Sequence, residues 1–140
     1  MIIFDSKYFK KFEFKRGQTE KYLRAAYRDL EIASHSGVAE VRFQFAYNAL
    51  IKLGISLISQ FGYKVKSRSG HHIKILEKIS LILGDKDIYL MGNRMREKRN
   101  TDLYEGGVLI SEKEAGEYKN WLKKVFLKAE ERVFGIRKLL

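Results

Sequence analysis

The chain has 140 residues, 45% of them hydrophobic, and a formal net charge of +11, which suits one domain with a core of its own. It contains no cysteine, and this excludes disulfide bonds and thiolate chemistry. No apolar run reaches the roughly 18 residues of a membrane-spanning helix, and the first residues lack the layout of a signal peptide. We therefore expect a cytoplasmic protein that does not enter a membrane.

The positive charge is concentrated in two segments. Residues 1–28 carry a net charge of +5 and residues 61–100 a net charge of +6. A concentrated positive field favours a polyanionic partner, RNA or DNA first. The alternative is a basic solvated surface without a specific partner, and charge alone does not decide between the two.

In chain order, residues 1–17 are ambiguous, and we expect an extended or short helical arm that covers a bundle. Residues 18–140 then form the bundle domain. The first helix is predicted over about residues 18–34 and the second over about 38–61. The second helix is apolar on most sides, which predicts a central position in the bundle. Its apolar stripe comprises Phe43, Tyr47, Leu50, Leu53, Leu57 and Phe61, and Val41, Phe45, Ala49 and Ile55 widen it.

Residues 64–70 are predicted to form a basic loop, followed by a third helix that stops at Gly84. A fourth helix is predicted over about residues 85–105 and ends before Gly106. A fifth begins where Ser111 and Glu114 have the spacing of a capping box. Proline, which interrupts helices, is absent from the chain. Long helices with short connections predict an all-α fold, an antiparallel up-down bundle of four to five helices.

The fourth helix carries the most unusual pattern. Ile88, Met91 and Met95 recur at helical spacing, and Arg99 and Asp102 continue the same line. Burying a charge is costly unless it is paired or used. Either Arg99 and Asp102 pair with each other, or they line a cleft where charge has a function.

Other polar groups lie close to this line on the same helix. Arg96 and Asn100 are one turn apart, and Tyr104 follows Asn100 by another turn. Guanidinium groups bind phosphate bidentately, and an amide can orient a ribose hydroxyl or a base edge. The structural alternative is an ion pair that fastens the helix end, with Tyr104 packed on the core.

Three features together resemble the HEPN superfamily of small helical bundles. They are the Arg99-Asn100-x-x-x-Tyr104 run, the stretch Ala46-Tyr47-Asn48-Ala49 in the second helix, and the order of helices over about residues 18–134. The loop Arg68-Ser69-Gly70-His71-His72 before a helix also resembles one branch of these proteins.

The resemblance implies a four- to five-helix bundle that forms a homodimer. Active members are metal-independent endoribonucleases with an R-x4-6-H motif, in which the arginine contacts the scissile phosphate and the histidine moves protons. Two motifs meet across the dimer to form one composite site. By this resemblance Arg99 is the arginine, Asn100 is the polar residue of the motif, and Tyr104 lies near a tyrosine that some members carry. No metal ion or other cofactor is implied.

The motif is incomplete, because no histidine lies between Thr101 and Gly106. Asp102 is the nearest titratable residue, but a carboxylate beside an arginine is a poor general acid near neutral pH. His71 and His72 can reach the site only if the loop before the third helix folds over it. Otherwise they are capping or packing residues.

Asn48 is a polar residue in an apolar stretch. It either orders the site beside Arg99 or is a satisfied buried amide between helices. Three functions remain open: an RNA-binding HEPN domain with nuclease activity, a partner or substrate protein of a minimal nucleotidyltransferase in a toxin–antitoxin pair, and a structural dimer. In the second, Tyr104 would receive a nucleotide, and in the third the motif is a buried ion-pair network.

Overall fold

The computed structural model describes the backbone of residues 1–105 and 110–134, and the side chains of residues 1–101 and 110–134. Within these ranges the chain forms five α-helices and two short strands. The helices are α1 (Gln18–His35), α2 (Ala39–Gln60), α3 (His71–Leu83), α4 (Lys86–Glu105) and α5 (Glu112–Ala129). A π-helical turn, Glu130–Phe134, follows α5. The described chain is mostly helical, which agrees with the predicted all-α class, whereas the up-down order and the HEPN likeness stay predictions.

The two strands lie where we expected an arm and a loop. Strand β1 (Phe9–Lys11) pairs antiparallel with β2 (Tyr63–Val65), so the predicted basic loop over residues 64–70 is wrong at its first two residues. Phe9 is 2% exposed and packs in the core beside the ring of Phe4. The N-terminal arm is therefore extended at β1, and its pairing fixes the segment that leads into α3.

Helix ends follow local sequence signals. The hydroxyl of Ser111 accepts a hydrogen bond from the backbone N–H of Glu114 at 3.1 Å, as the predicted cap of α5 requires. At the end of α3, Gly84 has a φ of 65°, and the N–H of Asp85 donates to the carbonyl of Ser80 at 3.0 Å. This left-handed turn satisfies a carbonyl of the last turn and confirms the predicted stop.

Helix α2 is central, as its broad apolar surface predicted, and contacts α1, α3, α4, α5 and β2. Two of its predicted core residues are wrong: Phe61 is 45% exposed and Val41 is 37% exposed. Phe61 follows the last residue of α2, so it leaves the helical stripe and packs against Phe4 instead. Most of the stripe is fully buried, namely Tyr47, Leu50, Leu53 and Leu57.

Two helical glycines bring α3 and α4 close to α2. A Cβ on Gly54 of α2 would overlap Ile75 and Ile79 of α3, and one on Gly92 of α4 would lie 2.6 Å from Leu76 of α3. Glycine in a helix costs about 1 kcal/mol relative to alanine, so a packing reason is expected. The close approach of these three helices positions the polar residues described next.

Candidate functional site

The first turn of α3 places two histidines beside α2 and α4. Gly70 precedes the helix with a φ of 83°, a left-handed conformation that glycine adopts without strain. The N–H of His71 lies 3.0 Å from the carbonyl of Arg68, and its Nδ1 lies 2.7 Å from the same oxygen. The rings of His71 and His72 are 4.5 Å apart. The loop thus folds back so that both imidazoles face the polar part of α4.

A buried tyrosine of α2 holds the second histidine. Tyr47 is fully buried, and its hydroxyl lies 2.8 Å from Nδ1 of His72. Burial raises the pKa of Tyr47 to about 12, against the opposing effect of Arg99 and Arg96. The phenol is therefore neutral at physiological pH, and it fixes the orientation of the imidazole by a hydrogen bond.

Arg99 of α4 packs on the same tyrosine. Its guanidinium carbon lies 5.6 Å from the centre of the Tyr47 ring, which is a cation–π distance. Its Nε is buried and has no hydrogen-bond partner among the described residues. The predicted stripe on α4 therefore does turn from apolar to charged, since Met95, about one turn before Arg99, and Ile88, about three turns before it, are fully buried.

A cleft opens next to this cluster, with a volume of about 550 Å³. It lies between the start of α3 and the middle of α4. Asn93 helps to hold one wall, because Nε of Arg96 donates a hydrogen bond to its Oδ1 at 3.0 Å. Among the residues whose side chains the structure describes, no carboxylate lines the cleft. The lining residues are Ser67, Arg68, Ser69, Gly70, His71, His72, Ile73, Arg96 and Asn100.

The positive surroundings change the chemistry of His72. Its pKa falls to about 4, first because burial disfavours the charged ring and then because His71, Arg99 and Arg96 repel a further positive charge. At neutral pH the imidazole is therefore uncharged, and with so low a pKa it is only a weak base in the absence of a bound anion. An anion bound in the cleft would offset the repulsion and raise this pKa.

The predicted site residues fall into three groups. Arg68, His71, His72, Arg96 and Asn100 line one cleft, and Arg99 joins them through Tyr47. Asn48 does not line the cleft, and its Oδ1 lies 3.4 Å from Nε2 of Gln44, so its place beside Arg99 stays a prediction. The side chains of Asp102 and Tyr104 lie outside the described residues, and the Arg99–Asp102 pair is therefore untested.

Sequence reasoning placed Tyr47 in the apolar stripe and in the stretch that resembles the HEPN superfamily, but gave its hydroxyl no role. The signal that points to it is chemical: a buried tyrosine hydroxyl normally has a hydrogen-bond partner. That partner, His72, is 25 residues away in the chain. Sequence spacing cannot reveal a contact between two helices at such a separation.

No family model, curated protein or solved structure matches the chain. None of the described helices is long and apolar enough to cross a membrane. In the described part of the chain, no three histidine, aspartate or glutamate side chains lie close enough together to hold a metal ion. A functional assignment therefore rests on the geometry of the cleft.

Proposed function

We propose that this protein is a HEPN-like RNA-binding domain and a metal-independent endoribonuclease, with its site in the cleft between α3 and α4. The observation that carries the proposal is the position of His72. Its ring contacts the buried Tyr47, and Arg99 packs on that same tyrosine. A histidine from α3 can thus take the role of the histidine that the motif on α4 lacks.

The charges of the cleft suit a phosphodiester. Arg68 and Arg96 line it, and Arg99 lies behind the histidine, while none of the described lining residues is a carboxylate that could compete for these cations. Arginine binds phosphate oxygens with two parallel hydrogen bonds, and its charge stabilises the extra negative charge of the transition state. Asn100 provides an amide at the same wall for a ribose hydroxyl or a base edge.

The neutral imidazole of His72 is the proton acceptor in this proposal. It removes the proton of a ribose 2′-hydroxyl, and the 2′ oxygen then attacks the adjacent phosphorus. The bond from phosphorus to the 5′ oxygen breaks, and the 5′ oxygen takes a proton from solvent water in the open cleft. The products are a 2′,3′-cyclic phosphate and a 5′-hydroxyl, and His72 returns its proton to solvent.

The test is an RNA cleavage assay in the presence of a metal chelator, with binding measured in the same samples. Arg99→Ala and His72→Gln should each lower the cleavage rate by about 10²-fold or more. Arg24→Ala and His35→Gln are matched controls, because both side chains are exposed on α1 and pair only with Glu20 and Glu31 of that helix. Both controls should retain wild-type rates.

Binding without cleavage in the wild type would reduce the proposal to an RNA-binding domain. Equal binding by wild type and Arg99→Ala would show that the cleft is not the RNA site. The absence of both binding and cleavage would overturn the proposal. In that case the partner of a nucleotidyltransferase is the remaining prediction, but no described residue favours it, since it depends on the side chain of Tyr104.

The homodimer and the cytoplasmic location belong to the same proposal. In the resemblance, two copies of the motif form one site, so cleavage should fall with dilution below the dimer dissociation constant. Light scattering across the concentration range of the assay measures the dimer directly. A monomer that cleaves at full rate would remove the composite site from the proposal while leaving the cleft intact.

A further inference from the structure

The paired strands form a positively charged surface beside the cleft, which we call the basic ribbon (residues 6–12 and 63–68). Lys10 and Lys64 are direct partners across the strands, and both are exposed. Like charges in directly opposed positions destabilise a strand pair. The ring of Phe12 lies 4.4 Å from Nζ of Lys64 and offers it only a cation–π contact. The pairing is thus electrostatically unfavourable unless an anion lies between the two lysines.

The ribbon is continuous with the cleft through Tyr8. Three cations surround the ring of this tyrosine: Lys7 at 5.6 Å, Arg68 at 5.8 Å and Lys74 at 5.5 Å from its centre. Its hydroxyl would lie 3.5 Å from a Cβ on Gly70, a residue of the cleft. Positive charge therefore runs without a break from the cleft to Lys10 and Lys64.

Little negative charge balances this surface. The sequence has no acidic residue in segments 6–12 and 61–76. Among the described residues, Lys74 pairs with Glu77 at 3.4 Å, and none of the ribbon's own cations forms an ion pair. Two of those cations instead fasten the ribbon: Nζ of Lys66 donates to the carbonyl of Ser6, and Nη1 of Arg68 to that of Lys7. The positive charge of the surface is therefore not balanced by described carboxylates. The two hydrogen bonds hold the ribbon in one conformation, which lowers the entropy cost of binding.

We propose that the basic ribbon binds the sugar–phosphate backbone of single-stranded RNA where the strand leaves the cleft. This inference rests on the proposed function, because the RNA is placed first by the cleft. Each strand of the ribbon has three residues and spans only about 10 Å. A surface of that length can contact the backbone of a single RNA strand. Recognition of an RNA duplex instead uses contacts across successive grooves over about 16 base pairs.

The experiment measures how RNA affinity depends on salt concentration for single-stranded RNAs of three and twelve nucleotides. It compares the wild type with the double variant Lys10→Gln/Lys64→Gln, the ribbon variant. The matched control is Lys123→Gln/Lys124→Gln, which removes the same charge from exposed positions on α5, away from the cleft. Each phosphate contact contributes about 0.7 to the slope of log affinity against log salt for single strands. For the longer RNA, the ribbon variant should therefore lose a slope of about 1.4.

Between 50 and 500 mM salt, the wild type should then lose about 25-fold more affinity for the longer RNA than the ribbon variant loses. The short RNA, which fills the cleft alone, should bind both proteins equally. The ribbon proposal is overturned if the ribbon variant keeps the wild-type salt slope for the longer RNA while Arg99→Ala still loses binding. The cleft would then remain the proposed RNA site.

The reverse result separates the two proposals. If the salt slope for the longer RNA falls in the ribbon variant but not in Arg99→Ala, the ribbon binds RNA and the cleft is not the RNA site. Equal slope changes in the ribbon variant and the α5 control would show a non-specific effect of net charge, and would overturn the ribbon. Salt-independent binding, or none, in the wild type would overturn both.

Discussion

Helix α2 makes polar contacts to several neighbouring helices, and two of these clusters differ in what lies beside them. Towards α1, Nζ of Lys52 lies 2.7 Å from Oδ2 of Asp29, which is 1% exposed. Towards α3 and α4, Tyr47 contacts His72 and Arg99, and Nε of Arg99 has no described partner. The first cluster pairs a cation with a carboxylate, whereas the described side chains of the second place positive charge beside the cleft.

This difference separates structural from functional use of buried polar groups. A closed ion pair between two helices is costly to break because the remaining charge stays buried. In the second cluster, where no described carboxylate pairs with Arg99, an anion bound in the cleft would supply a counter-charge. We therefore expect variants of the first cluster to change stability, and variants of the second to change ligand binding more than stability.

The largest expected loss of stability is for Lys52→Met. This change leaves the Asp29 carboxylate buried, with only the largely exposed Arg28 at 4.0 Å. We expect the free energy of unfolding to fall by about 3 kcal/mol, measured by urea denaturation. The double variant Asp29→Leu/Lys52→Met should recover most of this loss, since it removes both charges. A loss below about 1 kcal/mol in the single variant would mean that the pair is not structural.

The next effect is a pH dependence that originates in His72. Its pKa is about 4 in the folded protein, below the ordinary histidine value of 6.5, so the unfolded chain binds more protons between these values. Its contribution to stability is therefore complete above pH 6.5 and is lost as the pH falls towards 4. We expect a loss of about 2 kcal/mol, allowing for partial solvent exposure of the ring.

Urea denaturation at several pH values measures this effect as the difference between wild type and His72→Gln. The variant lacks the imidazole, so its stability should fall less steeply between pH 6.5 and 4. Identical pH profiles for the two proteins would show that burial and the neighbouring positive charges do not lower the pKa of His72.

A smaller effect is expected for Tyr47→Phe, which keeps the ring under Arg99 but removes the hydrogen bond to His72. The free energy of unfolding should fall by about 1 kcal/mol. Tyr27→Phe is the matched control, because the hydroxyl of Tyr27 is buried without a partner among the described residues. Its removal should be neutral or stabilising. Equal losses in both variants would argue against a specific contact between Tyr47 and His72.

The smallest effect on stability is expected for Arg99→Met, which keeps an unbranched apolar stem and removes the guanidinium group. We expect a change of less than about 1 kcal/mol in the free energy of unfolding, together with loss of RNA binding. A loss near 3 kcal/mol with no effect on RNA would instead favour a buried ion pair with Asp102. That outcome would make the two polar clusters alike and leave the structural dimer as the better hypothesis.

The helices were predictable because their signals are local. Apolar spacing, the cap at Ser111 and the stop at Gly84 each act within a few residues, and the helix ends lie within a few residues of their predicted positions. The strands were missed because three-residue strands have no stability of their own. Residues 9–11 become a strand only where residues 63–65 lie beside them.

The amino-acid sequence by itself determined a helical domain with a central α2, a basic surface and an arginine-bearing stripe on α4. Only the tertiary structure decided that Tyr47, His72 and Arg99 meet, and that the N-terminal arm pairs with the segment before α3. The physical reason is that helix propensity and apolar periodicity act over a few residues. Contacts between helices depend instead on how closely the backbones pack, and here Gly54 and Gly92 allow that approach.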